Sequence, residues 1–293
     1  MKVAIYGQTF QEGDRQCVEE LIDELKKHNA SIYVEEGFNK HISEFSKGHI
    51  KGEFNQTKGL DRFFDMFVSF GGDGTMLRAV TYVKDLGIPI VGVNTGRLGF
   101  LSTFKKENVR KLVTEFVAGH YTIEQRSLVE VDLNSDTDEF NGLNFALNEI
   151  TVSRKDTTSM ITVETWLNDE YLTAYWSDGL IVSTPTGSTG YSLSCGGPVI
   201  EPTAKSLVLT PIAPHNLNAR PLVISDNTKI RLKVSGREQT HLVSLDSRIT
   251  DIPNGKEIRI KKSDFTIKMI EYKSESFLKT LRNKLLWGED RRN

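Results

Sequence analysis

The sequence predicts an α/β amino-terminal domain with a parallel, Rossmann-like sheet, then an all-β domain of two packed sheets, and a carboxy-terminal helix packing back on the first domain. Three observations carry this. In the first 120 residues, buried-strand runs alternate with helical apolar spacing, the pattern of parallel sheets whose faces are covered by helices. From Tyr121 onward, strand-like runs follow one another across short turns without obvious helices. Finally, Phe277, Leu278, Leu281 and Leu285 share one helix face in the tail, and a lone amphipathic helix must bury that face. The expected division is residues 1–120 plus a returning tail, 271–293, against a β-rich domain over 121–270.

In order, VAIYG (3–7) is a strand, CVEELIDELKK a helix with Val18, Leu21, Ile22 and Leu25 on one face, and SIYVEE a second strand. Residues 36–60 hold several glycines and no firm period, and read as a mobile connection with one short helix. The run MFVSF (66–70) is a strand ended by GGDGT and followed by helical Met76, Leu77, Val80 and Val83. IPIVGVN (88–94) ends in a second glycine turn, TGRLGF, ahead of the amphipathic ENVRKLVTEFVAG. In the β-rich part, strand-like runs from TIEQRSLVEVDL to FTIKMIEY are punctuated by turns at 168–169, 236–238 and 253–256.

The 293 residues suit two domains, each able to bury its own core. A 38% hydrophobic and 26% charged composition, with mean hydropathy −0.34, excludes global disorder and fibrous repeats. No run reaches the roughly 18 apolar residues of a membrane span, and MKVAIYGQTF turns polar too soon for a signal-peptide core. A cytoplasmic protein with no membrane partner is expected. The net charge of −2 argues against a general nucleic-acid binder; the basic surplus over 255–293 reads as a solvated helix face. Cys17 and Cys195 lie far apart without companion spacing, so neither a disulfide framework nor structural zinc is expected. His28, His41 and His49 fit no metal motif.

Chemistry concentrates in a few segments. Gly71-Gly72-Asp73-Gly74-Thr75 follows a buried strand, where open α/β sheets bind ligands. Its glycines admit a phosphate, and the next helix offers free N–H groups and a favourable dipole. Among such amides, Asp73 suggests a proton acceptor or a Mg²⁺ partner; the plainer alternative is a helix-capping Asp. Asn148 and Glu149 pair an amide with a carboxylate suited to a base edge or ribose hydroxyls, although polar pairs at strand ends are also common on structural grounds. From Asp178 to Pro198, hydroxyls, glycines and Tyr191 concentrate, supplying neutral donors, exposed backbone and one aromatic face. Neither a Walker A pattern nor GxGxxG is present. Gly187-Ser188-Thr189-Gly190 lacks the hydrolase frame GxSxG, and Cys195 reads as a packing residue.

Together FGGDGTML (70–77), VGVNTGRLGFL (91–101), LNEITV (147–152), SDGLIVSTPTGSTGYSLSCGGP (177–198), PIAPHNLNARPLVI (211–224) and LDSR (245–248) resemble the NAD kinase family, in that family's order. GGDG alone is shared with lipid kinases and phosphofructokinases; the long Ser/Thr/Gly segment after a GGDGT loop and an Asn-Glu pair is specific. The resemblance implies transfer of the ATP γ-phosphoryl group, with a divalent cation such as Mg²⁺, to the 2′-hydroxyl of the adenosine ribose of NAD, giving NADP. It implies that Asp73 accepts the hydroxyl proton with Gly74 as a neighbouring backbone contact, and that Asn148 and Glu149 hold NAD. Asp178 would meet the nicotinamide end, and Thr189, Gly190, Tyr191, Ser192, Leu193 and Ser194 would line the dinucleotide. Arg78 would reach phosphate and Ala213 would lie beside adenine. A homodimer or homotetramer is also implied. Two positions depart from the family pattern: Gly190 stands where alanine is frequent, and Arg248 where many bacterial relatives carry glutamine. Two other readings start from the same residues: a lipid or sphingoid-base kinase, which wants an apolar acceptor cavity, and a non-catalytic nucleotide sensor, against which an intact Asp73 counts.

Overall fold

A computed structural model describes residues 1–46, 48–134, 138–156, 159–272 and 276–287. The chain forms two compact units, Met1–Gln125 with Ile267–Asn293 and Arg126–Thr266. Part of the expected returning tail, 273–275 and 288–293, lies outside the described residues.

The first unit carries β1 (Lys2–Gly7), α1 (Arg15–Lys27), β2 (Ser31–Glu35), α2 (Glu36–Ser46), β3 (Ile50–Phe54), β4 (Met66–Phe70), α3 (Asp73–Val83), β5 (Ile90–Asn94), β6 (Phe104–Lys105) and α4 (Val109–Val117). Its sheet runs in the order β3-β2-β1-β4-β5, with every pair parallel. That order reverses direction between β1 and β4, and ligands of doubly wound sheets bind outside the carboxyl ends of strands at such a point. Side chains alternate across the sheet. Val3, Ile5 and Val68 join one buried cluster with Val18, Leu21 and Leu25 of α1, Phe38 and Ile42 of α2, and Leu112 and Val113 of α4. On the opposite face Tyr82 of α3 meets Tyr6 and Phe54, whose ring in turn meets Phe67. The segment 36–60 holds more structure than its glycines suggested, a helix and a strand. Phe38 and Phe54, both buried, anchor it, and the helix and strand carry Gly37 and Gly52 within them.

The second unit takes in most of β7 (Tyr121–Asp132) and of the chain's last strand; after β7 come β8 (Phe145–Ala146), β9 (Glu149–Ser153), β10 (Ile161–Leu167), β11 (Glu170–Ser177), β12 (Gly179–Ser183) and a short helix, α5 (Tyr191–Ser194). Then come β13 (Ser206–Ile212), β14 (Leu222–Ser225), β15 (Ile230–Ser235), β16 (Thr240–Leu245), β17 (Arg248–Pro253) and β18 (Glu257–Tyr272). One sheet orders β11-β10-β15-β18, and the other β14-β13-β12-β9-β16-β17, with antiparallel neighbours. Val163, Leu232 and Ile258 of the first share a core with Val152, Leu180 and Val243 of the second, which makes a sandwich. Asn168 and Asp169, both at positive φ, close the β10–β11 hairpin, as a two-residue primed turn requires. The runs EIRIKKS and FTIKMIEY are one strand, β18, whose end pairs in parallel with β5 through Met269 and Ile90. Helical turns interrupt the otherwise all-β grammar at Thr186–Thr189 and in α5.

After β18, α6 (Phe277–Leu285) is capped by Ser276, whose hydroxyl accepts the Lys279 N–H. Phe277 meets the Phe100 ring at 6.4 Å, so the helix lies on the first unit. Leu281 is buried, whereas Leu278 remains exposed.

Candidate functional site

At the carboxyl end of β4, Gly71 sits at φ +145°, and a methyl there would collide with the Thr75 side chain. Only glycine satisfies both limits. Gly72 and Gly74 differ: a methyl on either meets nothing within 4 Å, so these two leave the loop surface open. Gly72 precedes α3 and no side chain caps that helix; Thr75 and Met76 donate to the Gly72 carbonyl, which leaves the Asp73 and Gly74 N–H groups at the positive dipole end without an acceptor among the described residues.

Asp73 is not a helix cap. Its Oδ2 accepts the Phe100 N–H at 2.8 Å, and Oδ1 accepts the N–H groups of Leu101 and Ser102 at 3.0 Å each. Three of the roughly four acceptor positions of a carboxylate are filled, leaving one on Oδ2. The second glycine turn is thereby explained. Asn94, buried at the end of β5, donates to the carbonyls of Arg97 and Ser102 and accepts the Gly96 N–H, which folds 95–102 into a tight loop. Ser102 Oγ donates to the Gly71 carbonyl at 2.8 Å. A side chain at Gly99 would overlap the Asp73 carboxylate. The two turns thus form one structure around Asp73, and Phe100, Leu101, Ser102 and Asn94 are members that sequence reasoning did not assign. Arg78, on the exposed side of α3, has no ion pair among the described residues; its charge acts on the Tyr6 and Tyr82 phenols, partly offsetting the burial that pushes Tyr6 up to about 12.

In the second unit, a bend at Leu147 and Asn148 leads into β9. Glu149 is 9% exposed; burial, then the adjacent Asp246 charge, pushes its carboxyl up to about 8, against a lowering hydrogen bond from the Tyr191 N–H. Glu149 Oε2 and Asn148 Oδ1 are buried without partners among the described residues. Other buried side-chain atoms, Ser69 Oγ and Thr186 Oγ1 among them, share that condition, so the pair stands out by its convergence on one point. Both side chains approach Gly190: a methyl there would stand 3.1 Å from Glu149 Oε2 and 3.3 Å from Asn148 Nδ2. Glycine at this position spares that crowding.

The hydroxyl-rich segment is mostly self-satisfied. Ser183 and Thr184 donate to the Asn148 and Leu147 carbonyls, Ser188 to Pro185 and Ile200, and Thr189 to Thr186. Buried Ser192 bonds Thr210 at 2.8 Å. These hydroxyls fold the segment, so what it turns outward is the exposed Tyr191 ring, Ser194 and backbone. Burial raises the Tyr191 phenol pKa, with Cys195, Asp178 and Glu149 adding to it. Asp178 pairs with Arg154 at 3.0 Å, and its N–H bonds the Ile212 carbonyl next to Ala213. Ala213 is exposed at φ +42°, an unusual conformation for a residue with a side chain.

A family model described as the ATP-NAD kinase N-terminal domain matches residues 3–121, and the ATP-NAD kinase C-terminal domain matches 147–272. A Flavobacterium psychrophilum protein named NAD kinase is 56% identical over 294 residues, covering 100% of both chains. The chain belongs to the NAD kinase family. An NAD kinase from Archaeoglobus fulgidus, solved in complex with ATP, is 30% identical, with a TM-score of 0.75 over 98% of this chain and 99% of that one. Yeast NADH kinase, solved with NADH, shares the fold at 24% identity and a TM-score of 0.88, over 100% of this chain and 89% of that one. For a divalent cation, no group of three His, Cys, Asp or Glu side chains is assembled among the described residues. A Mg²⁺ ion that keeps its waters and arrives on phosphates needs no such protein cage. No helix among the described residues is long and apolar enough to cross a membrane.

Proposed function

We propose that the protein transfers the γ-phosphoryl group of MgATP to the 2′-hydroxyl of the adenosine ribose of NAD, giving NADP and ADP. The observation that carries this reading is Asp73: a carboxylate fixed by three N–H groups beside two open glycines, with one Oδ2 position free. The ribose hydroxyl donates to that position. As its oxygen attacks the γ-phosphorus, the O2′–P bond forms, the bond to the β,γ-bridging oxygen breaks, the proton passes to Asp73 and ADP departs. Phosphoryl transfer asks a protein mainly for positioning and charge stabilisation, with a general base adding about 10²- to 10⁴-fold. The Asp73 and Gly74 N–H groups at the start of α3 and the Arg78 guanidinium supply positive potential for the phosphates. When bound with ATP, Mg²⁺ would supply neutralising charge to the phosphates, its shell filled by phosphate and water rather than by side chains of this chain.

Asn148 and Glu149 hold NAD through the two atoms that otherwise lack partners. Tyr191 offers its ring face, Thr189, Gly190, Leu193 and Ser194 line the dinucleotide, and Ser192 contributes through its backbone. Asp178 meets the nicotinamide end and Ala213 the adenine. The test is to incubate the purified protein with ATP, Mg²⁺ and NAD and to detect product with an NADP-specific dehydrogenase. NADP formation is expected. Intact NAD binding without NADP would make the protein a sensor, and phosphorylation of a sphingoid base in place of NAD would make it a lipid kinase.

A further inference from the structure

Successive N–H groups and side chains of an extended strand point to opposite sides. At the entrance to β9 they do not. The N–H groups of Leu147, Asn148 and Glu149 all converge on one carboxylate, that of Asp246, at 3.0, 2.8 and 3.2 Å. Asp246 lies at the tip of the β16–β17 hairpin at φ +52°, and its own N–H returns to the Glu149 carbonyl at 3.0 Å. Three converging donors require a bent backbone, and a buried acceptor with several lone pairs stabilises that bend. The same bend turns two consecutive side chains toward Gly190, so that Asn148 Nδ2 and Glu149 Oε2 approach one point.

Arg248 completes the arrangement. Its guanidinium donates to the Leu143 and Phe145 carbonyls, lies over the Phe145 ring and stands 4.0 Å from Asp246 Oδ2. One arginine therefore ties the strand before the bend to the carboxylate that holds it. A buried carboxylate without a nearby cation or donors is costly, and here it has both.

We infer that Asp246, braced by Arg248, is a positioning residue that bends the chain at Leu147–Asn148 and presents the Asn148 amide and Glu149 carboxyl together to the hydroxyl groups of NAD. This rests on the proposed role of those two residues. Asp246 touches no substrate and acts through the backbone. The titratable and charged groups around Glu149 are Asp246 from the hairpin, with Arg248 beside that carboxylate, and Tyr191 and Cys195 from α5 and the turn after it. Of these, Asp246 adds a negative charge that opposes ionisation of Glu149.

The test is steady-state kinetics on the full chain. Asp246→Asn keeps the shape but turns an NH₂ toward backbone donors. It is expected to raise the KM for NAD at least about tenfold, leave the KM for ATP within about twofold, and move the midpoint of the KM-against-pH profile for NAD to lower pH. A purely structural role would change the NAD and ATP constants together and leave that midpoint in place; either result, or an unchanged KM for NAD, overturns the inference. Should Asp246→Asn fail to fold, Arg248→Gln carries the test, with a smaller rise in the KM for NAD at constant KM for ATP, and parallel changes again overturning it. If the wild-type protein forms no NADP, the kinase reading fails on its own, and calorimetric dissociation constants for NAD in the same variants decide the brace. A wild-type protein that binds no NAD overturns both.

Discussion

Asp246 accepts the Asn148 N–H at 2.8 Å across 98 residues of chain, and Asp73 does the same for Ser102 at 3.0 Å across 29. Each aspartate gathers three consecutive N–H groups from a distant bend. One device thus builds both candidate subsites. In the first unit the carboxylate is itself the proposed reactive group, and in the second it holds the groups that bind. Both arrangements lead to measurable outcomes.

Asp73→Asn is expected to lower kcat at least about a hundredfold while NAD still binds, because the amide cannot take the hydroxyl proton. The check is kcat beside a calorimetric Kd for NAD; near-normal turnover would remove Asp73 from the role.

Gly99→Ala places a methyl on the Asp73 carboxylate and displaces it. Misplacement of a reacting group by about 1 Å costs on the order of 10²-fold. A loss of that order in kcat is expected, with the KM for NAD within about twofold. Full activity in this variant would show that the carboxylate has room the structure denies it.

Gly71 and Gly72 should part company. Gly71→Ala forces a positive φ and strikes Thr75, so a destabilisation of about 1–3 kcal/mol is expected in urea denaturation. Gly72→Ala meets no neighbour and should leave stability within about 0.5 kcal/mol. It should still raise the KM for ATP, because the methyl intrudes on the phosphate approach.

The Glu149 carboxyl, with an ordinary value of 4.5, is held up at about 8 in the folded protein. Between these values the folded state binds more protons than the unfolded one, so this contribution is complete below pH 4.5 and is lost as pH rises through 8. Buried Asp246, also pushed upward, acts with the same sign. Without ligand, Tm should fall between pH 5 and 8, and Glu149→Gln should flatten part of that slope. An identical pH dependence in the variant would contradict the shift.

The fold was legible because both grammars are carried by burial. Val3, Ile5 and Val68 announce a covered sheet, and the turn at 168–169 announces a hairpin. Asp73 was legible from its glycines. Its partners were not, because backbone N–H groups leave no residue signature, and the need for glycine at Gly99 emerges only once the Asp73 carboxylate is seen against it. Asp246 and Arg248 stood in a short motif with no chemistry assigned, since their partners lie about 100 residues away. The serines and threonines of 183–192 suggested donors for a ligand. Burial turned most of them toward carbonyls of their own chain, because an unmatched buried hydroxyl costs more than an exposed one.

The chain path of β18 bears on biosynthesis. The second unit is one continuous stretch, 126–266, whereas the first draws on both ends of the chain. Met269 pairs with Ile90, and Tyr272 packs on Phe104 at 5.1 Å and donates to the Leu112 carbonyl at 2.9 Å. A ribosome that has made residues 1–125 has therefore not yet supplied the pieces that finish their core. The sandwich can close while still in synthesis, and the unit that begins first is the last to be completed.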